Sequence, residues 1–300
     1  MSATEPPAGG LRKRSGEGRD LTRPPLPEAL PVAVFDNHTH LEFEDGIEML
    51  DPRDSLDRAE AVGVAGVVQV GTDLETSRWG VQLAESDPRV LAAVALHPNE
   101  APKLFEQGLL SSQLSEIARL AAHPRVRAVG ETGLDYFRTG EDGRESQLES
   151  FEAHIEIARE NGVALQIHNR EAHEDVIGAL KRVGAPDRVV LHCFSGDAEF
   201  AEVCNENGWY MSFAGTVTFK SAHGLREALS VAKPELVLVE TDAPFLTPEP
   251  FRGRPNAPYL MPHTVQALAT VLEQPLDSVC ERLTANTERV YGSWAPESDA

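Results

Sequence analysis

The chain has 300 residues, 41% of them hydrophobic, and a formal net charge of −21, with a pI near 4.8. That acidity argues against gripping nucleic acid through a broad basic face, which needs clustered Lys and Arg, but not against a nuclease that holds a few phosphates through metal ions. No apolar run approaches the roughly 20 residues that cross a bilayer, and the N-terminal stretch lacks the apolar core of a secretory leader, so a cytoplasmic protein is expected.

Residues 1–31 are rich in Pro, Gly and Arg and carry Arg12, Lys13, Arg14, Arg19 and Arg23. This composition reads as a disordered basic arm. From residue 32 a regular alternation begins. Short apolar or β-branched runs at 32–36, 66–70, 90–96, 128–130, 163–167, 188–191, 209–213 and 236–239 predict strands. Helix-like segments at 51–61, 74–85, 111–121, 145–160, 172–183, 198–207 and 222–231 lie between them. Further helices at 261–272 and 276–291 close the series. Repeated strand–helix units with buried apolar strands indicate a parallel sheet covered by helices. Eight of them point to an α/β protein, a (β/α)8 TIM barrel over residues 32–292 with a flexible tail at 293–300. A doubly wound open sheet is the alternative, but no glycine-rich phosphate loop follows the first strand.

The informative residues stand directly after the apolar runs. They are Asp36-Asn37-His38-Thr39-His40, His97-Pro98, Glu131-Thr132-Gly133-Leu134-Asp135, His168-Asn169-Arg170, His192-Cys193-Phe194-Ser195-Gly196 and Glu240-Thr241-Asp242-Ala243-Pro244. In a barrel these positions share the C-terminal mouth, where active sites are built. His38, His40, Glu131, His168, His192 and Asp242 are nitrogen and oxygen donors suited to divalent cations. One ion needs three or four protein ligands, so six suggest two divalent metal ions. The expected division is His38, His40 and Asp242 on one ion and His168 and His192 on the other, with Glu131 bridging. Two ions about 3.5–4 Å apart can clamp a phosphoryl or acyl centre and activate a shared water. His123, His154, His173, His223 and His263 fall on predicted helices or loops and read as surface or core residues.

Substrate-facing groups follow. Arg170 lies two residues beyond His168 and shares its inward direction. Arg252 and Arg254 lie in a Pro- and Gly-rich loop at 248–258, where a guanidinium can hold phosphate oxygens bidentately. His97 is placed to hydrogen-bond a phosphate or leaving group. Cys193, by strand alternation, should point outward and pack. Cys193, Cys204 and Cys280 form neither a disulfide framework nor a zinc-finger spacing. No Gly-x-Ser-x-Gly nucleophile elbow is present.

Together with Leu96-His97-Pro98, Gly130-Glu131-Thr132-Gly133-Leu134-Asp135-Tyr136 and Ser212-Phe213-Ala214-Gly215, these strings resemble the TatD family of metal-dependent deoxyribonucleases, within the amidohydrolase-like barrels. Asn286 fits its closing helix. The resemblance covers roughly residues 32–291. It implies a TIM barrel and a nuclease that cleaves DNA phosphodiesters, often as a 3′–5′ exonuclease, with Mg2+ or Mn2+ supporting activity and Zn2+ compatible with the histidines. DNA strand ends or single strands are the expected substrate. Asp242, with Glu131, is expected to handle the proton of the attacking water. Two alternatives stand beside it: an amidohydrolase-type enzyme acting on a small lactone, amide or phosphoester, and a non-enzymatic scaffold with a decayed site. The same barrel chemistry serves the first.

Overall fold

The computed structural model describes residues 11–294. The ends of the predicted arm and tail, 1–10 and 295–300, lie outside the described residues. Eight parallel strands form one sheet in chain order: β1 (Val34–Thr39), β2 (Val64–Val70), β3 (Val90–Val94), β4 (Val126–Asp135), β5 (Ala164–Arg170), β6 (Val189–Leu191), β7 (Tyr210–Phe213) and β8 (Val237–Val239). Around it lie α1 (Pro52–Ala61), α2 (Leu74–Ser86), α3 (Ala101–Glu106), α4 (Leu110–Ala121), α5 (Arg144–Asn161), α6 (His173–Val183), α7 (Ala198–Asn207), α8 (His223–Val231), α9 (Met261–Val271) and α10 (Leu276–Tyr291). The architecture is the expected (β/α)8 barrel.

The strands are covered on both faces. Every residue of β3, Val-Leu-Ala-Ala-Val, is buried, as parallel strands between a barrel core and a helical shell must be. The helices bury one stripe each. On α4 the buried residues Leu110, Leu114, Ile117 and Ala121 recur at helical spacing. On α5, Phe151, Ile155 and Ala158 do the same. Each fully buried Phe, Ile or Leu contributes about 1.5–3 kcal/mol. Side-chain caps start several helices: Asp51 accepts from the Asp54 amide of α1 at 2.8 Å, and Asp73 forms a capping box with Thr76 at α2.

Closure between β8 and β1 is polar and specific. The buried Asp36 carboxylate accepts from the Thr241 amide at 2.9 Å, the His38 amide at 3.2 Å and the Thr241 hydroxyl. Burial pushes Asp36 up to about 8 despite these donors. Asn37 donates to Val239 O at 2.7 Å. The backbone then crosses directly, Asp242 N to His38 O at 2.9 Å and His40 N to Ala243 O at 2.8 Å. These bonds bring the first and last site residues side by side.

Three features differ from the sequence reading. β4 and β5 pair beyond their apolar parts, with Gly133 opposite His168 and Asp135 opposite Arg170. Gly133 has φ +133, and a Cβ there would meet His168 O at 2.1 Å, so only glycine fits this approach. The short α3 was not expected, since it has no side-chain cap and spans only 6 residues. Most consequentially, residues 11–31 lie against the barrel. Arg12–Lys13 pairs in parallel with Phe43–Glu44, Pro24 O accepts from the Tyr259 hydroxyl at 2.7 Å, and Leu30 is buried with its amide bonded to Val62 O at 3.0 Å. Composition suggests disorder, but the arginines find fixed acceptors on the barrel rim.

Candidate metal centre

The six expected ligands meet at the mouth around one carboxylate. Glu131, buried in β4, turns its two oxygens to two groups of imidazoles. Oε2 lies 3.6 Å from His38 Nε2 and 3.9 Å from His40 Nε2. Those two nitrogens are 3.2 Å apart. Asp242 Oδ1 joins them, 3.5 Å from His40 Nε2 and 3.8 Å from His38 Nε2. Oε1 lies 2.7 Å from His168 Nδ1, 2.8 Å from His192 Nε2 and 3.3 Å from His97 Nε2. Asp242 holds its place in the left-handed region, at φ +50, an unusual conformation for a residue with a side chain and one found at functional sites.

Partners on the far side of each ring decide which nitrogen faces inward. His38 Nδ1 donates to Gln166 Oε1 at 3.0 Å. The Gln166 amide is oriented by its own donation to Asn37 O at 2.8 Å and the Tyr291 hydroxyl at 2.7 Å. His40 Nδ1 donates to Val70 O at 3.0 Å, and His192 Nδ1 to Glu240 Oε1 at 3.2 Å. Asp135 Oδ2 stands 3.3 Å from His168 Nε2, in ion-pair contact but off hydrogen-bond alignment. The outer acceptors on Nδ1 of His38, His40 and His192 direct Nε2 of these rings at the centre, the arrangement by which an outer acceptor orients a metal-ligating histidine. The inward His168 Nδ1 and His192 Nε2 donate to the Glu131 carboxylate at 2.7 and 2.8 Å, protons that a cation would replace. His97 differs in meeting a donor on its outer nitrogen. Its Nδ1 accepts from the Asn99 amide at 3.0 Å, so its proton sits on Nε2, facing inward as a donor.

The donor set fits divalent cations. Ligands about 2.0–2.1 Å from a zinc-sized ion stand roughly 3.3 Å apart when tetrahedral, close to the spacings around Glu131. His38, His40 and Asp242 form one group with ligand atoms within 4.8 Å of one another, and His38, Glu131 and His192 form a second. His97, Glu131 and His168 form a third by distance, although the His97 tautomer disfavours ligation through Nε2. Charge is matched as well. Burial alone would raise Glu131, but His192, His97 and His168 hold it well below the carboxylate range. Burial likewise opposes protonation of His40 and His192. The neighbouring Asp242 and Glu42, and Glu131 and Glu240, outweigh it and hold both well above the usual histidine value. Protons and a cation thus compete for the same nitrogens.

Residues 35–292 match the profile of the family described as TatD related DNase. The chain belongs to the TatD family. It is 47% identical over 263 residues to the uncharacterized metal-dependent hydrolase TatD of Mycobacterium tuberculosis, an alignment covering 86% of this chain and 98% of the relative. It is 36% identical over 260 residues to the uncharacterized metal-dependent hydrolase YabD of Bacillus subtilis, with 86% and 98% covered. The crystal structure of YJJV, a TatD homologue from Escherichia coli, superposes with a TM-score of 0.77 at 27% identity, covering 87% of this chain and 98% of that one. This TatD-family chain is a metal-dependent hydrolase.

The arginines divide. Arg170 is half-buried at the mouth, with its guanidinium 3.8 Å over the ring of Phe137, and Phe137 is 59% exposed. Arg252 is exposed in the 248–258 loop, 4.2 Å over Phe219. Arg254, expected to face a phosphate, instead binds the arm. It donates to Thr22 O at 2.8 Å and Arg23 O at 2.9 Å and pairs with Asp20 at 3.4 Å. Cys193 also departs from expectation. β6 ends at Leu191, and Cys193 has φ +42, so strand alternation no longer applies. Burial, then Asp242, Glu240 and Glu131, push its thiol well up. The group lies in the field of the site, yet is poorly suited to act as a thiolate nucleophile. Gln166, Asp135, Glu240 and Glu42 orient or charge the ligands and were not assigned from sequence. Gln166 was the detectable one, a polar residue inside an apolar strand two positions before His168.

Proposed function

We propose that this hydrolase is a divalent-metal-dependent deoxyribonuclease that shortens DNA in the 3′ to 5′ direction at single strands or strand ends. The observation that carries the reading is one mouth in which two metal-capable clusters share Glu131 while Arg170 is stacked on the exposed Phe137. An arginine beside an exposed aromatic ring suits a phosphate next to an unpaired base. His38, His40 and Asp242 would hold one divalent ion and His168 and His192 the other, with Glu131 between; Mg2+ or Mn2+ suits the carboxylates, and Zn2+ the imidazoles. Divalent ions held there would supply Lewis acidity, lowering the pKa of a water and offsetting charge on the phosphoryl oxygens. Arg170 and the Nε2–H of His97 hold the phosphate. The Asp242 carboxylate takes the proton of the attacking water as the O–P bond forms and the P–O3′ bond breaks, and delivers it to the departing 3′ oxygen. Arg252 steadies the next phosphate from the loop.

The test is hydrolysis of a labelled single-stranded oligonucleotide by the full chain, with and without Mg2+ or Mn2+, beside Glu131→Ala. Metal-dependent shortening that the variant loses supports the proposal. An intact oligonucleotide in the presence of stoichiometrically bound metal rejects it in favour of a small-molecule hydrolase.

A further inference from the structure

The family match begins at residue 35, and 86% of this chain spans 98% of each of the two bacterial relatives. The arm that packs on the rim is therefore an addition to the family barrel. It carries its cations to one side of the mouth. Arg12 donates to Thr72 Oγ1 at 3.0 Å and pairs with Asp73, and its guanidinium lies 5.9 Å over the Phe43 ring. Arg14 donates to Pro244 O, two residues after Asp242, and lies 4.9 Å over Phe245. Phe245 and Phe43 both stand edge-on to His40, with ring centres 6.1 and 6.2 Å away.

Charge at this place is unbalanced. Arg19 engages Asp45 through two bonds of 2.8 Å, one to each oxygen. Arg14 reaches the same carboxylate only at 3.5 Å. One acid thus serves two guanidinium groups, and the bidentate partner is Arg19. Among the described residues, Nε and Nη2 of Arg14 make no hydrogen bond, and the side chain is 24% exposed. The field of Asp242 reaches it, together with those of Arg19 and Asp45.

We propose that the arm is a built-in wall of the active-site mouth and that Arg14 is a substrate-binding residue, holding a backbone phosphate of the bound strand on the His40–Asp242 side. This rests on the phosphodiester reading above. A guanidinium with two uncommitted nitrogens and an incompletely neutralised charge is suited to a phosphate oxygen pair. The aromatic bed of Phe43 and Phe245 holds the arm's guanidinium groups at the rim without neutralising them.

The experiment is equilibrium binding of a fluorescein-labelled, phosphorothioate-linked single-stranded oligonucleotide to the full-length, Mg2+-loaded protein over a KCl series. Wild type is compared with Arg14→Gln, which removes the charge and keeps a shorter polar side chain, and with Arg14→Lys, which keeps the charge. The expected result is about tenfold weaker binding for Arg14→Gln at low salt. Its log–log salt slope should be shallower by about 0.7, the signature of one lost phosphate contact on a single strand, and Arg14→Lys should retain the wild-type slope. Equal affinity and slope in all three proteins overturn the proposal while leaving the nuclease reading intact. No binding of this oligonucleotide by wild type, together with no cutting of its phosphodiester counterpart, removes both.

Discussion

His154, on α5, supports the site from below, and acid should reveal it. Its Nδ1–H donates to Ser150 O at 2.6 Å, and its Nε2 accepts from the Leu96 amide at 3.1 Å, one residue before His97. Burial pushes its pKa from 6.5 down to about 4. The unfolded chain therefore takes up this proton before the folded one. The resulting stability is fully present above the unfolded pKa and is lost as pH falls from 6.5 toward 4. At about 1.4 kcal/mol per unit, acidification from pH 7.5 to 4.5 should remove about 2–3 kcal/mol through this residue alone. His154→Gln supplies an acceptor for Leu96 without titrating. Urea unfolding of both proteins in EDTA, at several pH values across that window, gives the comparison. Whatever constant penalty the substitution carries, the variant should gain about 2–3 kcal/mol relative to wild type by pH 4.5. Parallel stability curves would refute the assignment of a neutral, buried His154.

Asp242→Asn should lower kcat by at least about 100-fold, the weight of a positioned proton-transfer group, with the unfolding midpoint nearly unchanged; full turnover would remove Asp242 from the chemistry. Glu240→Gln takes the charge from the outer acceptor of His192, which lies 3.2 Å away. Metal affinity should fall about 10–100-fold in a chelator competition titration, and an unchanged affinity would mean that His192 is no ligand. Because neighbouring carboxylates hold His40 and His192 well above the usual value, metal uptake should release protons and affinity should rise with pH. Calorimetry in buffers of different ionisation enthalpy measures that release, and zero protons would contradict the described charge balance.

The barrel was legible because a parallel strand buried on both faces leaves a short apolar run, as at Val64–Val70 and Val90–Val94. The candidate ligands were legible as a set because each follows such a run. What escaped depends on neighbours distant in sequence. Gln166 orients His38 across 128 positions. Arg19 gains a fixed place because Asp45 lies beneath it, and Arg14 because Pro244 O and the Phe245 ring meet it. Composition registers the Pro, Gly and Arg of the arm but not its acceptors. Arg254 looked free for phosphate for the same reason, since its acceptors, Thr22 O and Arg23 O, are 232 and 231 positions away.

His97 and His168 show where a sequence rule stops and geometry begins. Both follow apolar segments at the barrel mouth, and both reach the same oxygen of Glu131, at 3.3 and 2.7 Å. Their roles separate on the other nitrogen. The Asn99 amide, donating to His97 Nδ1 at 3.0 Å, forces the proton to Nε2 and makes the inward face a donor. Among the described residues no amide donates to His168: its Nδ1 donates to Glu131 at 2.7 Å and Asp135 lies 3.3 Å from Nε2, so the inward proton can give way to a cation while an acid still faces the outer nitrogen. A ring that presents N–H suits an anionic phosphate, and a ring that presents a lone pair suits a cation. The two imidazoles are 4.8 Å apart between centroids, so one carboxylate can sit between a histidine suited to hold substrate and one suited to hold a metal.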